Sequence, residues 1–335
     1  MGGSVQALRD YVRFLRMIRQ LHPAVVHICT SAGPALRKDL LMLQAAGRSR
    51  TPSIIHYRMG RIPQILGDKP HRVTTAMAAG NATLADNPSE TAEAKLLRLC
   101  TASATVSLVL DRRSLTVLRK ERPAGDVRLM PNMVDIQAVD SAVAGYQASP
   151  ENRLVVAFVG HVLESKGAGD LVRACASSST GIVLRMVGPA EDQYRRELEA
   201  VAAGSPLELR FHGTLSHEES LRTIASGDVF ALPSHSEGFP NVVAEAMACS
   251  RPVLGSAVGA IPDMLDTEGP EPCGVCVSPG DTHALAEALL RLAADGDLRR
   301  RMGTAGRRRV ETEYATDVVT HRLVALWREL TERSC

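Results

Sequence analysis

Short apolar runs alternate with amphipathic stretches along most of the chain. The runs are "AVVHICT" near residue 24, "SIIHYRM" near 53, "ATVSLVL" near 104, "LVVAFVG" at 154–160 and "IVLRMVG" at 182–188. "LELRFHG" at 207–213, "DVFALPS" at 228–234 and "PVLGSAV" at 252–258 follow. Continuous β-rich runs bounded by Gly, Pro and Ser predict strands covered on both faces. Between them, "AGDLVRACASS", "AEDQYRRELEAVAAG", "SHEESLRTIASG" and "DTHALAEALLRLAAD" carry helical spacing. Strand and helix in alternation predict an α/β protein built from right-handed βαβ units with open parallel sheets.

A linker is expected near residues 136–152, although part of "IQAVDSAVAGY" could be helical. "PNMVD" ends one series, and "QASPENR" precedes a fresh strand. The 335 residues suit about two domains. An N-terminal Rossmann-like domain is placed over 1–140 and a second over 150–315. The first looks short, with about three strands against five or six in the second.

Composition narrows the function. Thirty-nine basic against 37 acidic residues leave a net charge of +2, and aromatics are 3%. Neither a basic footprint nor stacking faces for nucleic acid are present. The seven cysteines are odd in number and irregularly spaced, unlike a disulfide framework. Cys273 and Cys276 form a lone C-x-x-C without the second pair that a zinc site of about four ligands needs. No apolar run reaches the ~18 residues of a membrane span. The N-terminus lacks the apolar core and cleavage site of a signal peptide. The expectation is a cytoplasmic, reduced protein, for which the sequon at Asn81 has no meaning.

The opening "ALRDYVRFLRMIRQL" sets Leu8, Tyr11, Val12, Leu15 and Ile18 on one face and Arg9, Arg13 and Arg16 on another. Such a helix can rest peripherally on an anionic membrane or cover a parallel sheet, and the second use is preferred here. The Arg307–Arg309 run reads as a solvated helix face.

Two segments carry candidate chemistry. In "HSEGFPNVVAEAMA", 235–248, a strand ends in a loop bearing Glu237, Gly238, Phe239 and Pro240, and a helix starting near Asn241 carries Glu245. In an α/β sheet both carboxylates fall at the carboxyl edge, where ligands bind. Backbone N–H groups at the helix start suit an anion such as a diphosphate, and carboxylates accept from vicinal hydroxyls. The bland alternative is an exposed turn before a surface helix, and spacing alone weights the two equally. In "FVGHVLESKGAGDLVRA", 158–174, a strand ends at Gly160, and the loop bears His161, Glu164 and Lys166 before Gly167. A Lys at this turn can meet a leaving phosphate, although Lys-Gly is commonly only a helix entry.

Together these segments resemble the retaining glycosyltransferases of family 4, whose fold is called GT-B. "FVGHVLESKGAGDLVRA" is similar to the family's F-V-G-R-L-x-x-x-K-G block. Glu237 and Glu245 stand as its E-x7-E motif. "GDVFALPSHSEGFP", "PVLGSAVGAIPDML", "PNMVD" and "GVCVSPGDTHALAEALLRLAAD" with "RMGTAGRRRVETEY" resemble neighbouring blocks. "VVHICTSAGPALRKDL" and "HYRMGRIPQI" are weaker matches. The resemblance spans roughly residues 20–330 and is closer in the C-terminal half.

The resemblance implies two Rossmann-like domains facing across a cleft, the N-terminal one incomplete and acceptor-binding, the C-terminal one holding the donor. A helix over 316–335 would cross back to the first. Lys166 would contact the donor diphosphate, and Glu237 the hydroxyls of the transferred sugar with backbone groups of Gly238, Phe239 and Pro240. Lys166 and Glu237 are thus the candidate catalytic residues. Gly160, His161 and Asn241 complete the donor set, Glu245 binds ribose hydroxyls, and the loops after Val187 and Phe211 flank the base. The donor is a nucleotide-diphosphate sugar and the acceptor a saccharide, a lipid-linked saccharide or a small metabolite. No cofactor or metal is implied. On the acceptor side, His56, Arg58 and Arg61 are candidates to meet a hydroxyl or an anion. His27 reads as a core histidine, Arg37 and Lys38 as a solvated face, and Ser31 as a loop position.

Two departures stand out. The family has Arg where this chain has His161. Members also begin with a strand and Gly-rich loop ahead of the block matching "AVVHICT", which this sequence lacks. Both motivate an alternative, a catalytically impaired nucleotide-sugar-binding homologue or partner subunit. A phosphorylase on the same fold is disfavoured by chain length.

Overall fold

A computed structural model describes residues 2–31, 33–68, 91–146 and 151–333. Asn81 and residues 147–150 of the expected linker lie outside them. The chain divides into two compact units, Met1–Pro131 with His321–Cys335, and Asn132–Thr320.

The first unit is a parallel sheet of β1 (Val26–Thr30), β2 (Ser53–Tyr57), β3 (Val106–Val109) and β4 (Asp126–Leu129), in that order. It therefore has one strand more than the three expected. β4, "DVRL", is an edge strand in which only Val127 is fully buried, so it presents no apolar run. The helices are α1 (Gly2–Leu21), α2 (Ala35–Arg48), α3 (Ile62–Ile65), α4 (Ala92–Ser103) and α5 (Arg112–Glu121). Thr91 caps α4 and Asp111 caps α5, each side chain accepting from the N3 amide. Because the strands run in sequential order, right-handed crossovers place the connections on one face. On that face Val26, Ile28, Ile55, Tyr57 and Val109 pack with Leu36, Leu43, Leu97 and Leu118. His27 and Cys29 alternate with these residues and so belong to the opposite face.

Helix α1 packs chiefly on α2, and its Ile18 and Phe14 join the core cluster that includes Val26 and Ile28, while Leu8 and Val12 are 63% and 40% exposed.

The second unit contains β5 (Leu154–Val159), β6 (Ile182–Val187), β7 (Glu208–Gly213), β8 (Val229–Leu232), β9 (Val253–Ser256) and β10 (Gly274–Val277). All pairings are parallel, in the order β7-β6-β5-β8-β9-β10. Building outward from β5 to β7, the chain then returns to the other side of β5. That reversal, between β5 and β8, is where such sheets hold ligands. The helices are α6 (Ile136–Val143), α7 (Ala168–Ala176), α8 (Asp192–Ala202), α9 (His217–Ala225), α10 (Asn241–Ala248), α11 (Ile261–Leu265), α12 (Thr282–Ala294), α13 (Gly296–Arg309) and α14 (Thr316–Glu332). A reciprocal Ser216–Glu219 capping box starts α9, and Asp281 and Asp295 cap α12 and α13.

Residues 136–143 are not linker. Asp135 caps α6, Arg222 Nε donates to Ala142 O (2.9 Å), and Arg307 grips Asp140 (2.6 Å). Val134 is bonded on both sides, its N–H to Tyr314 O and its carbonyl to Thr316 N–H. The arginine run is likewise only partly solvated. Arg307 and Arg309 are about three-quarters or more buried beside Asp140, Glu311, Asp266 and Glu313, and only Arg308 stands out.

Helix α14 begins in the second unit, and its residues from His321 onward belong to the first. There Arg128 bridges Asp126 and Glu329 (both 2.6 Å). Among the described residues, no helix is long and apolar enough to cross a membrane.

Candidate functional site

The loops after β5 and β8 meet at the point where the strand order reverses. After Val159 the chain passes Gly160 and the exposed His161, and Val162 N–H is tied to Pro189 O. A single 3₁₀ turn, Glu164–Lys166, then carries Lys166. From the other strand, Pro233 and the fully buried Ser234 lead to Glu237. Lys166 Nζ lies 2.6 Å from Glu237 Oε1, and Ser234 Oγ donates to the same oxygen at 2.8 Å. The Glu237 carboxylate is 10% exposed and the Lys166 side chain 33%. A nearly buried anion is thus held by one cation and one hydroxyl, the charge-assisted geometry that makes such pairs strong.

Two glycines allow the loops to come this close. Gly167 follows Lys166 with φ 69°, and a Cβ there would lie 2.0 Å from Pro233 O. Gly259, after β9, has φ 53°, and a Cβ would lie 2.3 Å from Glu237 O. Glycine adopts this left-handed conformation without penalty, and neither gap has room for a Cβ. Hydrogen bonds complete the assembly. His235 N–H donates to Ser165 O (2.9 Å), and Ala260 N–H to Gly238 O (2.8 Å). His235 Nε2–H donates to Asp170 Oδ2 at 2.7 Å, while the other oxygen of this buried carboxylate accepts from Arg173.

Phe239 is directed away from the loop's open side. Its ring meets Tyr314 edge-on at 5.2 Å and is 7% exposed. Asn132 Nδ2 donates to Phe239 O (3.2 Å) and to Asn241 Oδ1 (2.9 Å), fixing the entry to α10. Pro240 occupies the N-cap position. Helix α10 buries Val243, Ala244, Ala246 and Met247 and leaves Glu245 at its margin. Glu245 Oε1 accepts from His217 Nε2–H at 3.0 Å, at the start of α9. Glu245 is therefore engaged by the element that follows β7.

The geometry joins Lys166 to Glu237 and sets Gly238, Phe239, Pro240 and Asn241 in one bonded loop. Gly160 and His161 end the neighbouring strand. Sequence reasoning missed Asn132, Asp170, His217, Ser234 and His235. Asn132, Asp170, Ser234 and His235 lie inside the quoted segments, and only their partners on other elements reveal their part; His217 reaches the site from α9.

The acceptor-side candidates fare differently. His56 is 3% exposed, its ring stacked on His27 at 5.6 Å and its Nε2–H donated to Met130 O. It cannot meet an acceptor, because its position in β2 places it inside the unit. Burial, with Arg58 nearby, lowers its pKa to about 3. Arg61 pairs with Glu93 (2.9 Å), which also accepts from Gly33 N–H. Arg58 is exposed. Lys38 faces Asp10 at 3.8 Å, and Arg37 is exposed. The Cys273 and Cys276 thiols are pushed up by burial to about 11 and about 12, which makes them inert.

Residues 145–309 match the family described as glycosyl transferases group 1. The chain is 26% identical over 211 residues to a GDP-mannose-dependent monoacylated alpha-(1-6)-phosphatidylinositol monomannoside mannosyltransferase of Corynebacterium glutamicum, covering 58% of this chain and 54% of that protein. It is 32% identical over 190 residues to an alpha-maltose-1-phosphate synthase of Mycolicibacterium smegmatis, covering 54% and 49%. The matches thus span about half the length of these curated relatives. Among solved structures, sucrose-phosphate synthase of Thermosynechococcus elongatus superposes with a TM-score of 0.72 at 22% identity, over 98% of this chain and 78% of the other. That likeness shows the fold, GT-B.

Proposed function

Because residues 145–309 match the glycosyl transferases group 1, we propose that this chain transfers a sugar from a nucleotide-diphosphate sugar to an acceptor hydroxyl, with retention at the anomeric carbon. The observation that carries this is the Lys166–Glu237 pair at the reversal between β5 and β8. In this reading donor binding splits the pair. Lys166 turns to the diphosphate, and Glu237, still held by Ser234, accepts from hydroxyls of the sugar. The anomeric C–O bond breaks with its electrons leaving on the diphosphate, whose charge Lys166 and the N–H groups opening α10 offset; the acceptor oxygen bonds the anomeric carbon on the same face, and its proton passes to the departing phosphate oxygen. This chemistry needs no metal at the donor site. It differs from glycoside hydrolysis, in which two carboxylates flank the bond.

Glu245 takes the ribose hydroxyls, exchanging its bond from His217 for theirs. His161 lies beside the diphosphate position, and the loops after Val187 and Gly213 flank the base. The acceptor is a saccharide, a lipid-linked saccharide or a small metabolite. The exposed Leu8 and Val12 of α1, next to Arg9, Arg13 and Arg16, offer a peripheral contact to an anionic bilayer that carries a lipid-linked one. The free thiols suit a reducing cytoplasm.

The test is calorimetric titration with UDP, GDP and ADP, then with UDP- and GDP-sugars, repeated on Glu245→Ala. Binding of one nucleotide that weakens in the variant supports the donor site and names the base. Binding of none refutes it. A second reading, donor binding without transfer, rests on the exposed imidazole of His161 where the family carries Arg. A donor that binds but yields neither transfer nor hydrolysis would select it.

A further inference from the structure

The sheet face of the first unit opposite its helical core gathers three metal-binding side chains. β1 and β2 are parallel neighbours, with Cys29 in register with His56 and His27 in register with Ile54. Alternation therefore sets His27, Cys29 and His56 on the same face. One nitrogen of each imidazole and the Cys29 sulfur lie within 4.8 Å of one another.

Three details point toward a cation. His27 Nε2 is buried and has no hydrogen-bond partner among the described residues, a state that costs free energy unless something fills it. His56 donates Nε2–H to the Met130 carbonyl (3.3 Å), which leaves Nδ1 with its lone pair. Ligating histidines are commonly oriented by such an outer bond. Cys29 is exposed, so an ion has a path in and water can take a fourth position.

We propose that His27, Cys29 and His56 form a zinc site with three protein ligands. Zinc takes nitrogen at about 2.0–2.1 Å and sulfur at about 2.3 Å, so the side chains must close by about an ångström, within the reach of small χ rotations. On binding, the Cys29 thiol loses its proton to solvent and its sulfur bonds the ion. Arg58 is the charged group acting on both imidazoles; it opposes the ion, and the Cys29 thiolate offsets it. Trp327, edge-on to His27 at 6.0 Å, walls one side. The ion clasps β1 to β2 and has no part in the transfer step.

The test uses the full chain, stripped with chelator and titrated with Co²⁺, then with Zn²⁺. One equivalent of Co²⁺ is expected to give a near-ultraviolet thiolate-to-cobalt band, Zn²⁺ to abolish it, and the melting temperature to rise with Zn²⁺. Cys29→Ser removes the band. His27→Gln weakens Zn²⁺ binding by about a hundredfold or more, since even outer partners of a metal ligand are worth about 10–100-fold. Both variants spare the deeply buried His56 and so keep the fold. Cys335→Ser, which removes the terminal thiol, leaves the band unchanged. No band in the unaltered chain, or a band that survives Cys29→Ser, overturns the proposal.

Discussion

Replacing Gly167 with alanine tests whether the close approach of two loops holds the donor site together. At φ 69° an alanine pays about 1–2 kcal/mol for the left-handed conformation. Its Cβ would also stand 2.0 Å from Pro233 O, whereas real Cβ contacts begin near 3.0 Å, so the loops must part by 3.0 − 2.0 = 1.0 Å. Overpacking of that kind adds about 1–3 kcal/mol, for a total of about 2–5 kcal/mol. Gly204 supplies the control. It has φ 75°, and a methyl added there meets no atom within 4 Å, so Gly204→Ala carries the conformational term alone. The gain from stiffening the unfolded chain is common to both variants and cancels. Urea unfolding with an unchanged slope is expected to show Gly167→Ala less stable than Gly204→Ala by about 1–3 kcal/mol. Transfer is expected to fall about a hundredfold in Gly167→Ala, the usual cost of a 1 Å misplacement, and to stay normal in Gly204→Ala. Equal destabilisation by the two substitutions would refute the reasoning.

Other outcomes follow from the same site and from the first unit. Lys166→Ala and Glu237→Ala are each expected to abolish most transfer, by about a hundredfold or more, with the circular dichroism spectrum retained; near-normal turnover in either would remove its assigned role. Glu245→Ala is expected to weaken nucleoside-diphosphate binding about tenfold or more by calorimetry, the worth of a hydrogen bond to a charged group; unchanged affinity would exclude the ribose role. His56 has a folded pKa of about 3 against 6.5 in the unfolded chain. Between these values the unfolded chain binds more protons, so the His56 contribution is complete above pH 6.5 and is lost as pH falls. At pH 5 the loss is about 2 kcal/mol. Denaturant midpoints at pH 7 and pH 5 should separate by less in His56→Gln; an identical acid sensitivity would contradict this.

The sheet of the second unit was legible because β5, β6, β8 and β9 are apolar runs bounded by Gly, Pro or Ser, and the more polar β7 still closes on Gly213. The motif carboxylates were legible because strand, loop and helix follow one another directly around Glu237. What escaped was whatever depends on contacts between distant segments. β4 escaped because an edge strand with one buried residue has no hydrophobic signature. Helix α6 reads as linker in the sequence because its Arg222 and Arg307 partners lie elsewhere in the chain. His56 looks accessible there because a histidine before two basic residues resembles a loop end, and only the sheet shows that β2 is covered on both faces. Asn132, Asp170 and His217 escaped because their partners Phe239, His235 and Glu245 lie far along the chain.

The strand order has an evolutionary consequence. Lys166 and Glu237 are carried by neighbouring strands, yet 70 residues of chain separate them. Much of that interval builds one flank of the sheet, β6 and β7 with their helices, and then returns. The flank behaves as an exchangeable cassette: its outer loops can lengthen, shrink or change composition while β5 and β8 keep the pair in place. On the proposed donor role, selection can retune the loops that flank the base without moving the Lys166–Glu237 pair beside them.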